Sequence, residues 1–204
     1  MNADYINKYC RDHLTDKRLR HTEGVIEAAV QLAERYGANV EKAKTAAVCH
    51  DLYRGCSVEE INACIQRYGL DRRYLNNPNL AHGKIAAAFM EAELGVNDRD
   101  ILNAVSYHTT GRRGMSLLEK VVYMADATER GRDYPGVEEL RKTTVRDLDE
   151  AMIIALGNTI KYVGSRGGVI DKDTLDAYDE LRKEKNGKQK DGACCRETSE
   201  RQKG

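Results

Sequence analysis

With 204 residues, the chain is long enough for one domain with a real core and is read as one rather than two. Lys+Arg and Asp+Glu balance at 33 each, so no bulk field draws the chain to nucleic acid or an anionic membrane, and any polyanion site must be a local patch. No apolar run approaches the roughly 18 residues of a membrane span, and residues 1–14 lack the apolar centre of a signal peptide.

No Trp, one Phe, two Pro and abundant Ala, Glu, Leu, Lys and Arg favour an all-α fold. The six cysteines form no CxxC pair, which implies reduced thiols and a cytoplasmic protein.

In chain order, residues 5–13 predict a short helix that leaves His13 on the surface. A second runs over 21–36 and stops at Gly37; Val25, Ala29, Leu32 and Tyr36 form its apolar stripe, which His21 continues. The third starts near Val40, with Ala43, Ala46, Ala47 and His50 on one face and Asp51 at its end. An inward carboxylate is costly unless a metal or an arginine neutralises it, and Arg54 is the nearby candidate. Cys49 is read as a small buried residue beside this pair.

Ser57-Val58-Glu59-Glu60 is a capping box for a helix that Gly69 ends. Residues 71–79 read as loop. A helix over 82–94 carries His82 in its first turn, and Asn97 caps one that ends on His108. The turn Thr109-Thr110-Gly111-Arg112-Arg113-Gly114 suits phosphate oxygens, although a plain inter-helix turn reads the same way. Ser116-Leu117-Leu118-Glu119 is a second capping box, whose helix sets Leu118, Val122 and Asp126 in line.

Residues 129–137 read as loop, 144–163 as the longest helix, 164–168 as loop and 173–183 as a last helix. The domain is taken as 1–183, followed by a charged, Gly-rich tail, 184–204, expected to be disordered.

Four of the five histidines, His21, His50, His82 and His108, fall on inward faces, joined by Asp51 and Asp126. A single such histidine is usually a hydrogen-bonded core residue. Six imidazoles and carboxylates together suit Zn, Fe, Mn or Co and exceed what one catalytic metal usually takes, so two adjacent metals fit. The residues alone point to a helical metallohydrolase.

His21, the His50-Asp51 pair and Asp126 resemble the HD-domain superfamily of metal-dependent phosphohydrolases, and the interposed His82 and His108 resemble its two-metal members. More narrowly, the chain resembles the YqeK family of symmetrical diadenosine-tetraphosphate hydrolases. Four segments carry that likeness: Arg20-His21-Thr22-Glu23-Gly24-Val25, His108-Thr109-Thr110-Gly111-Arg112, Met115-Ser116-Leu117-Leu118-Glu119-Lys120, and Gly131-Arg132-Asp133-Tyr134-Pro135-Gly136-Val137. The chain departs from the family at Arg54, where members tend to have Lys, and at Glu129-Arg130, where they tend to have Glu-Pro.

The resemblance implies a helical HD-domain bundle with a buried dinuclear site, iron first and Mn, Co or Zn as alternatives. His21, His50, Asp51, His82, His108 and Asp126 would be its ligands and Asp51 the bridge. Asp51, His82 and His108 would lie at the centre of catalysis. Such a metal pair acidifies a water for attack on phosphorus, and attack beside the central bridge of a dinucleoside tetraphosphate yields two ADP.

His21, His82, His108, Thr109, Thr110 and Arg132 would face the phosphates. Gly168, Val169, Ile170, Asp171 and Asp173 would face base or ribose. Arg112 is a further phosphate candidate, and Arg20 a solvated helix-start residue. The implied partner is a dinucleoside polyphosphate, with no nucleic acid or membrane, and a homodimer is admitted. Two other readings remain open: an HD phosphohydrolase of another nucleotide, or a nucleotide-binding regulatory module whose metals are structural.

Overall fold

A computed structural model describes residues 15–200, with side chains described to Gly187. The expected helix at 5–13 lies outside the described residues. Among those described there are nine α-helices and no strand: α1 Asp16–Tyr36, α2 Val40–Cys49, α3 Val58–Arg67, α4 Pro78–Ala92, α5 Arg99–Tyr107, α6 Leu117–Thr128, α7 Val137–Arg146, α8 Leu148–Ser165 and α9 Lys172–Glu200. A single 3-10 turn, Arg72–Tyr74, interrupts the segment expected as loop before α4.

The all-α expectation holds, and three of its misses lie at element ends. Helix α1 begins five residues before His21, because Thr15 caps it by accepting from the Arg18 amide and Asp16 supplies a favourable charge in the first turn. Helix α4 likewise begins a turn early: Asn77 caps it and Pro78 opens it, where a missing N–H costs nothing. Asp98, not Asn97, caps α5. Both capping boxes form in full.

The helix expected over 144–163 is two helices. Asp147 is extended (φ −152°, ψ 104°), ends α7 and caps α8 by accepting from the Glu150 amide, and the middle of α7, residues 138–143, had no assignment from sequence. Helix α9 continues past Lys183, and most of the polar tail expected at 184–204 falls beyond the described side chains.

Helix α6 is the hub. It packs against α1, α2, α5, α7 and α8, and Leu118, Val121, Val122, Tyr123, Met124 and Ala125 are all buried. Fully burying one such side chain contributes roughly 1.5–3 kcal/mol. A smaller cluster, Ile61, Ile65, Tyr74, Ala81 and Ile85, joins α3 and the 3-10 turn to α4. Helices α1, α2, α4, α5 and α6 each deliver at least one of the six expected ligands, and this packing sets their spacing.

Arg112 is absorbed into the framework. Its guanidinium holds the carboxylate of buried Glu119 through two bonds of 2.7 and 2.8 Å, and the same carboxylate closes the α6 capping box through the Ser116 amide. Read from sequence as a further phosphate candidate, it is engaged here by a buried acid of the framework. Cys49 is fully buried in the main core, as expected.

Candidate metal centre and its cleft

All six expected residues converge. The Nε2 atoms of His21 and His50 lie 3.3 Å apart, and those of His82 and His108 lie 3.1 Å apart. Asp51 stands between the two pairs. Its Oδ2 is 3.7 Å from both His21 and His50, while its Oδ1 is 3.2 Å from His82 and 3.8 Å from His108. Asp126 completes the first side, with Oδ1 3.1 Å from His21 and 3.9 Å from His50.

Each imidazole is oriented from behind. Carbonyl and carboxylate oxygens only accept, so each Nδ1–H donates: His50 to Ala47 O (2.7 Å), His108 to Val105 O (2.7 Å), His82 to Pro78 O (3.1 Å) and His21 to Glu129 Oε1 (3.1 Å). In the neutral ring this leaves every Nε2 as a bare lone pair aimed at the centre, the arrangement of metal-ligating histidines. The early start of α4 matters here, because Pro78 O lies one turn before His82.

Burial disfavours the charged form of His50 and His82. It lowers the His50 pKa to about 4 and also lowers that of His82, where the charges of His108 and Arg54 add to the effect. Burial opposes ionisation of the two aspartates as well. Nevertheless His50 and His108 hold Asp51, and His21 and Arg132 hold Asp126, far below the usual carboxylate range. His21 is the exception: burial disfavours its cation, but Asp126 and Glu129 outweigh that and raise its pKa. Lone pairs facing one another at van der Waals range beside two ionised carboxylates fit divalent cations. His21, His50 and Asp126 form one group able to hold an ion, and His50, Asp51 and His108 form another.

Two residues that sequence reasoning did not place complete the site. Arg18 donates to Asp51 Oδ2 at 2.8 Å and is the arginine partner sought in Arg54. It sits three residues before His21 and therefore on the same helical face, a spacing the sequence displays. Glu129 is buried behind His21 and also accepts from the Gly131 amide. Gly24 makes room for it, since a Cβ there would lie 2.4 Å from Glu129 Oε2. Gly83 plays the same part between α4 and α5, where a Cβ would lie 2.9 Å from Val105 O and 3.0 Å from the His108 ring.

The phosphate candidates divide. Arg132 bonds both the backbone carbonyl and Oδ1 of Asp126 and lines a cleft of about 590 Å³. Thr109 lines it too, with a buried hydroxyl that finds no partner. Thr110 is fully buried, and its hydroxyl donates to Gly111 O at 2.9 Å, so the neighbouring core takes it. Arg20 is exposed, and Arg130 pairs with Glu27 at the surface. The segment 168–173 turns its acids toward another group: Asp173 meets Arg73 at 2.7 Å and Lys84 at 3.9 Å, and Asp171 lies 3.8 Å from Arg73, while Val169 is 90% exposed.

The HD domain model matches residues 18–131, which hold all six converging side chains and both supports, Arg18 and Glu129. The chain therefore belongs to the HD-domain family. Among curated relatives, "Bis(5'-nucleosyl)-tetraphosphatase, symmetrical" of Bacillus subtilis (strain 168) is 40% identical, the match covering 89% of this chain and 98% of the relative. The enzyme of the same name from Staphylococcus aureus (strain NCTC 8325 / PS 47) is 31% identical over 86% of this chain and 92% of its own. A crystal structure from Clostridium acetobutylicum, described as a predicted HD superfamily hydrolase involved in NAD metabolism, superposes with a TM-score of 0.85 at 38% identity, covering 90% and 98% of the two chains.

Proposed function

We propose that the chain is a metal-dependent symmetrical hydrolase of dinucleoside tetraphosphates, diadenosine tetraphosphate first, releasing two ADP. One observation carries the reading: Asp51 presents one carboxylate oxygen to His21 and His50 and the other to His82 and His108. A carboxylate so placed would suit a ligand shared between two cations, and the kinship with symmetrical tetraphosphatases supports the substrate class. His21, His50 and Asp126 would hold one cation and His82 and His108 the other, with iron as the metal and Mn, Co or Zn as alternatives.

When bound, such a pair supplies Lewis acidity and an acidified water. The rest is supplied by the chain itself. Water adds to the phosphorus beside the central bridging oxygen, that P–O bond breaks, and ADP leaves with the bonding pair; the attacked half is the second ADP. Arg132 and the unpartnered Thr109 hydroxyl face the cleft where flanking phosphates would lie. Arg18, at Asp51, adds a third donor. The 168–173 segment would meet base or ribose from the side of α4. The described residues contain no helix long and apolar enough to cross a membrane, and the reduced-thiol reading supports a cytoplasmic enzyme.

The test is product analysis on anaerobically purified protein of known metal content. Diadenosine tetraphosphate should give ADP alone, and exhaustive chelation should abolish turnover. AMP plus ATP would refute symmetrical cleavage. Preference for a nucleoside monophosphate, a cyclic nucleotide or NAD in the same panel would move the chain to another HD activity. No turnover with any of them would favour a binding module.

A further inference from the structure

The cleft beside the metal centre has two kinds of lining. One is polar: His108, Asp126, Thr109 and Arg132. The other is aromatic and apolar, with Tyr123, Tyr134, Pro135, Leu140 and Tyr162, and it carries the amide of Asn158 and the hydroxyl of Thr159. A volume of about 590 Å³ lies within the roughly 300–1,000 Å³ of small-molecule sites. Phosphate chemistry beside a wall of tyrosines is the polarity of a nucleotide.

We propose that this aromatic part of the cleft is the base pocket for one nucleoside of the substrate, and that Asn158 makes it select adenine. The inference rests on the function proposed above.

The walls are set for stacking. The Tyr134 hydroxyl donates to Ala127 O at 2.7 Å, which fixes its ring against the α6 end. Tyr162 is 59% exposed, an unusual position for a large ring on a packed helix, and Arg166 lies 4.7 Å from its centroid. An exposed aromatic backed by a guanidinium at the mouth of a cleft is a stacking platform. Asn158 and Tyr162 are four residues apart on α8, so they share its face.

The polar lining discriminates among bases. A carboxamide pairs with adenine through its oxygen to the N6 amino group and its NH2 to N7. Guanine offers two acceptors, O6 and N7, on the same edge and calls for Arg or Lys. Among the described residues the one Arg or Lys lining the cleft is Arg132, which is tied to Asp126 on the polar side.

The experiment compares wild type with Tyr162→Ala and Asn158→Leu, both exposed enough to fold unchanged. Two readouts are used: steady-state kinetics on diadenosine and diguanosine tetraphosphate, and calorimetric titration with ADP and GDP. Losing one stacked base corresponds to roughly 5–150-fold in affinity. Tyr162→Ala should raise KM for the diadenosine substrate and Kd for ADP in parallel by that order, with kcat nearly unchanged. Asn158→Leu should erase the preference of ADP over GDP while leaving GDP binding alone. Wild-type KM and ADP affinity in both variants of an active enzyme would overturn the pocket and leave the hydrolase standing. Guanine preferred by wild type would overturn the role of Asn158. A wild type that binds ADP as described but hydrolyses no tetraphosphate would overturn the hydrolase and leave the pocket standing.

Discussion

Glu129 offers the sharpest test of how the centre is built. Its Oε1 receives His21 Nδ1–H at 3.1 Å and its Oε2 the Gly131 amide. Glu129→Ala removes the group that fixes both tautomer and ring direction of His21, leaving Nε2 free to turn from Asp126. Losing such an outer-shell partner costs roughly 10–100-fold in metal affinity or activity, equivalent to about 1.4–2.8 kcal/mol. Glu129→Gln keeps the shape, but a carboxamide has one acceptor oxygen for two donors. One N–H is left buried and unpaired, at a cost of about 1–3 kcal/mol.

Gly24→Ala approaches from the other side. The new methyl would lie 2.4 Å from Oε2 and displace the carboxylate without removing its charge. Metal affinity measured by chelator competition should therefore fall in all three variants, with Glu129→Ala weakest. Metal-free thermal melts identify any variant that has simply unfolded. Wild-type metal affinity in a folded Glu129→Ala protein would refute the claim that this carboxylate orients His21.

Four further outcomes follow from the geometry. Asp51→Ala removes the ligand shared by both sides and with it several kcal/mol of charge stabilisation, so kcat should fall ~10³-fold or more together with metal content; a variant retaining most of its rate would exclude Asp51 as the bridge. Arg132→Ala should lower kcat as well as raise KM, each by roughly tenfold or more for a charge-assisted bond of about 1.5–3 kcal/mol, because Arg132 holds Asp126; a pure KM effect in steady-state assays would show that it touches phosphate only. Burial lowers the Lys84 pKa from 10.5 to about 7, so between those values the unfolded chain binds the extra proton and stability should rise with pH, by about 2 kcal/mol between pH 7 and 9 relative to Lys84→Met; urea titrations of both proteins giving a pH-independent difference would refute this. Truncation after Lys183 should shift the melting midpoint by no more than a few degrees, since among described side chains it removes the half-exposed pairs of Lys185 with Asp147 and Glu150, worth about 0–1 kcal/mol; a larger loss would show that the tail docks.

The candidate ligands other than Asp51 were legible in the sequence because each lies in phase with an apolar stripe. His21 precedes Val25 by one turn, and His108 follows Ala104 by one turn, and both stripes face the core. Helix ends with a side-chain signature, at Ser57 and Ser116, were legible for the same local reason. What could not be read depends on contacts distant in sequence. Glu129 reaches His21 across 108 residues, and Arg18 reaches Asp51 across 33. The break at Asp147 was hidden because the apolar periodicity continues through it, while the cap that creates it depends on a single carboxylate.

Arg112 and Arg132 make the same point in opposite directions. Both flank an expected phosphate site in sequence, yet buried Glu119 takes Arg112 into the framework. Asp126 keeps Arg132 at the centre. Periodicity shows which side chains point inward, but only the fold decides which acid each arginine meets.

Arg18 and Arg132 also link the two halves of the proposed chemistry. Asp51 Oδ2 and Asp126 Oδ1, the oxygens that face His21 and His50, are also the oxygens these arginines hold. Each carboxylate thus has a guanidinium on one side and imidazole lone pairs on the other. Under the proposed function, cations held among the imidazoles would share the neutralisation of these carboxylates with the guanidiniums. The arginines would then become available to anionic oxygens entering the cleft, which Arg132 already lines. A tetraphosphate brings several such oxygens at once. Under that proposal the site would be charge-matched to metal and substrate together better than to either alone, which would account for two arginines standing beside the candidate ligands.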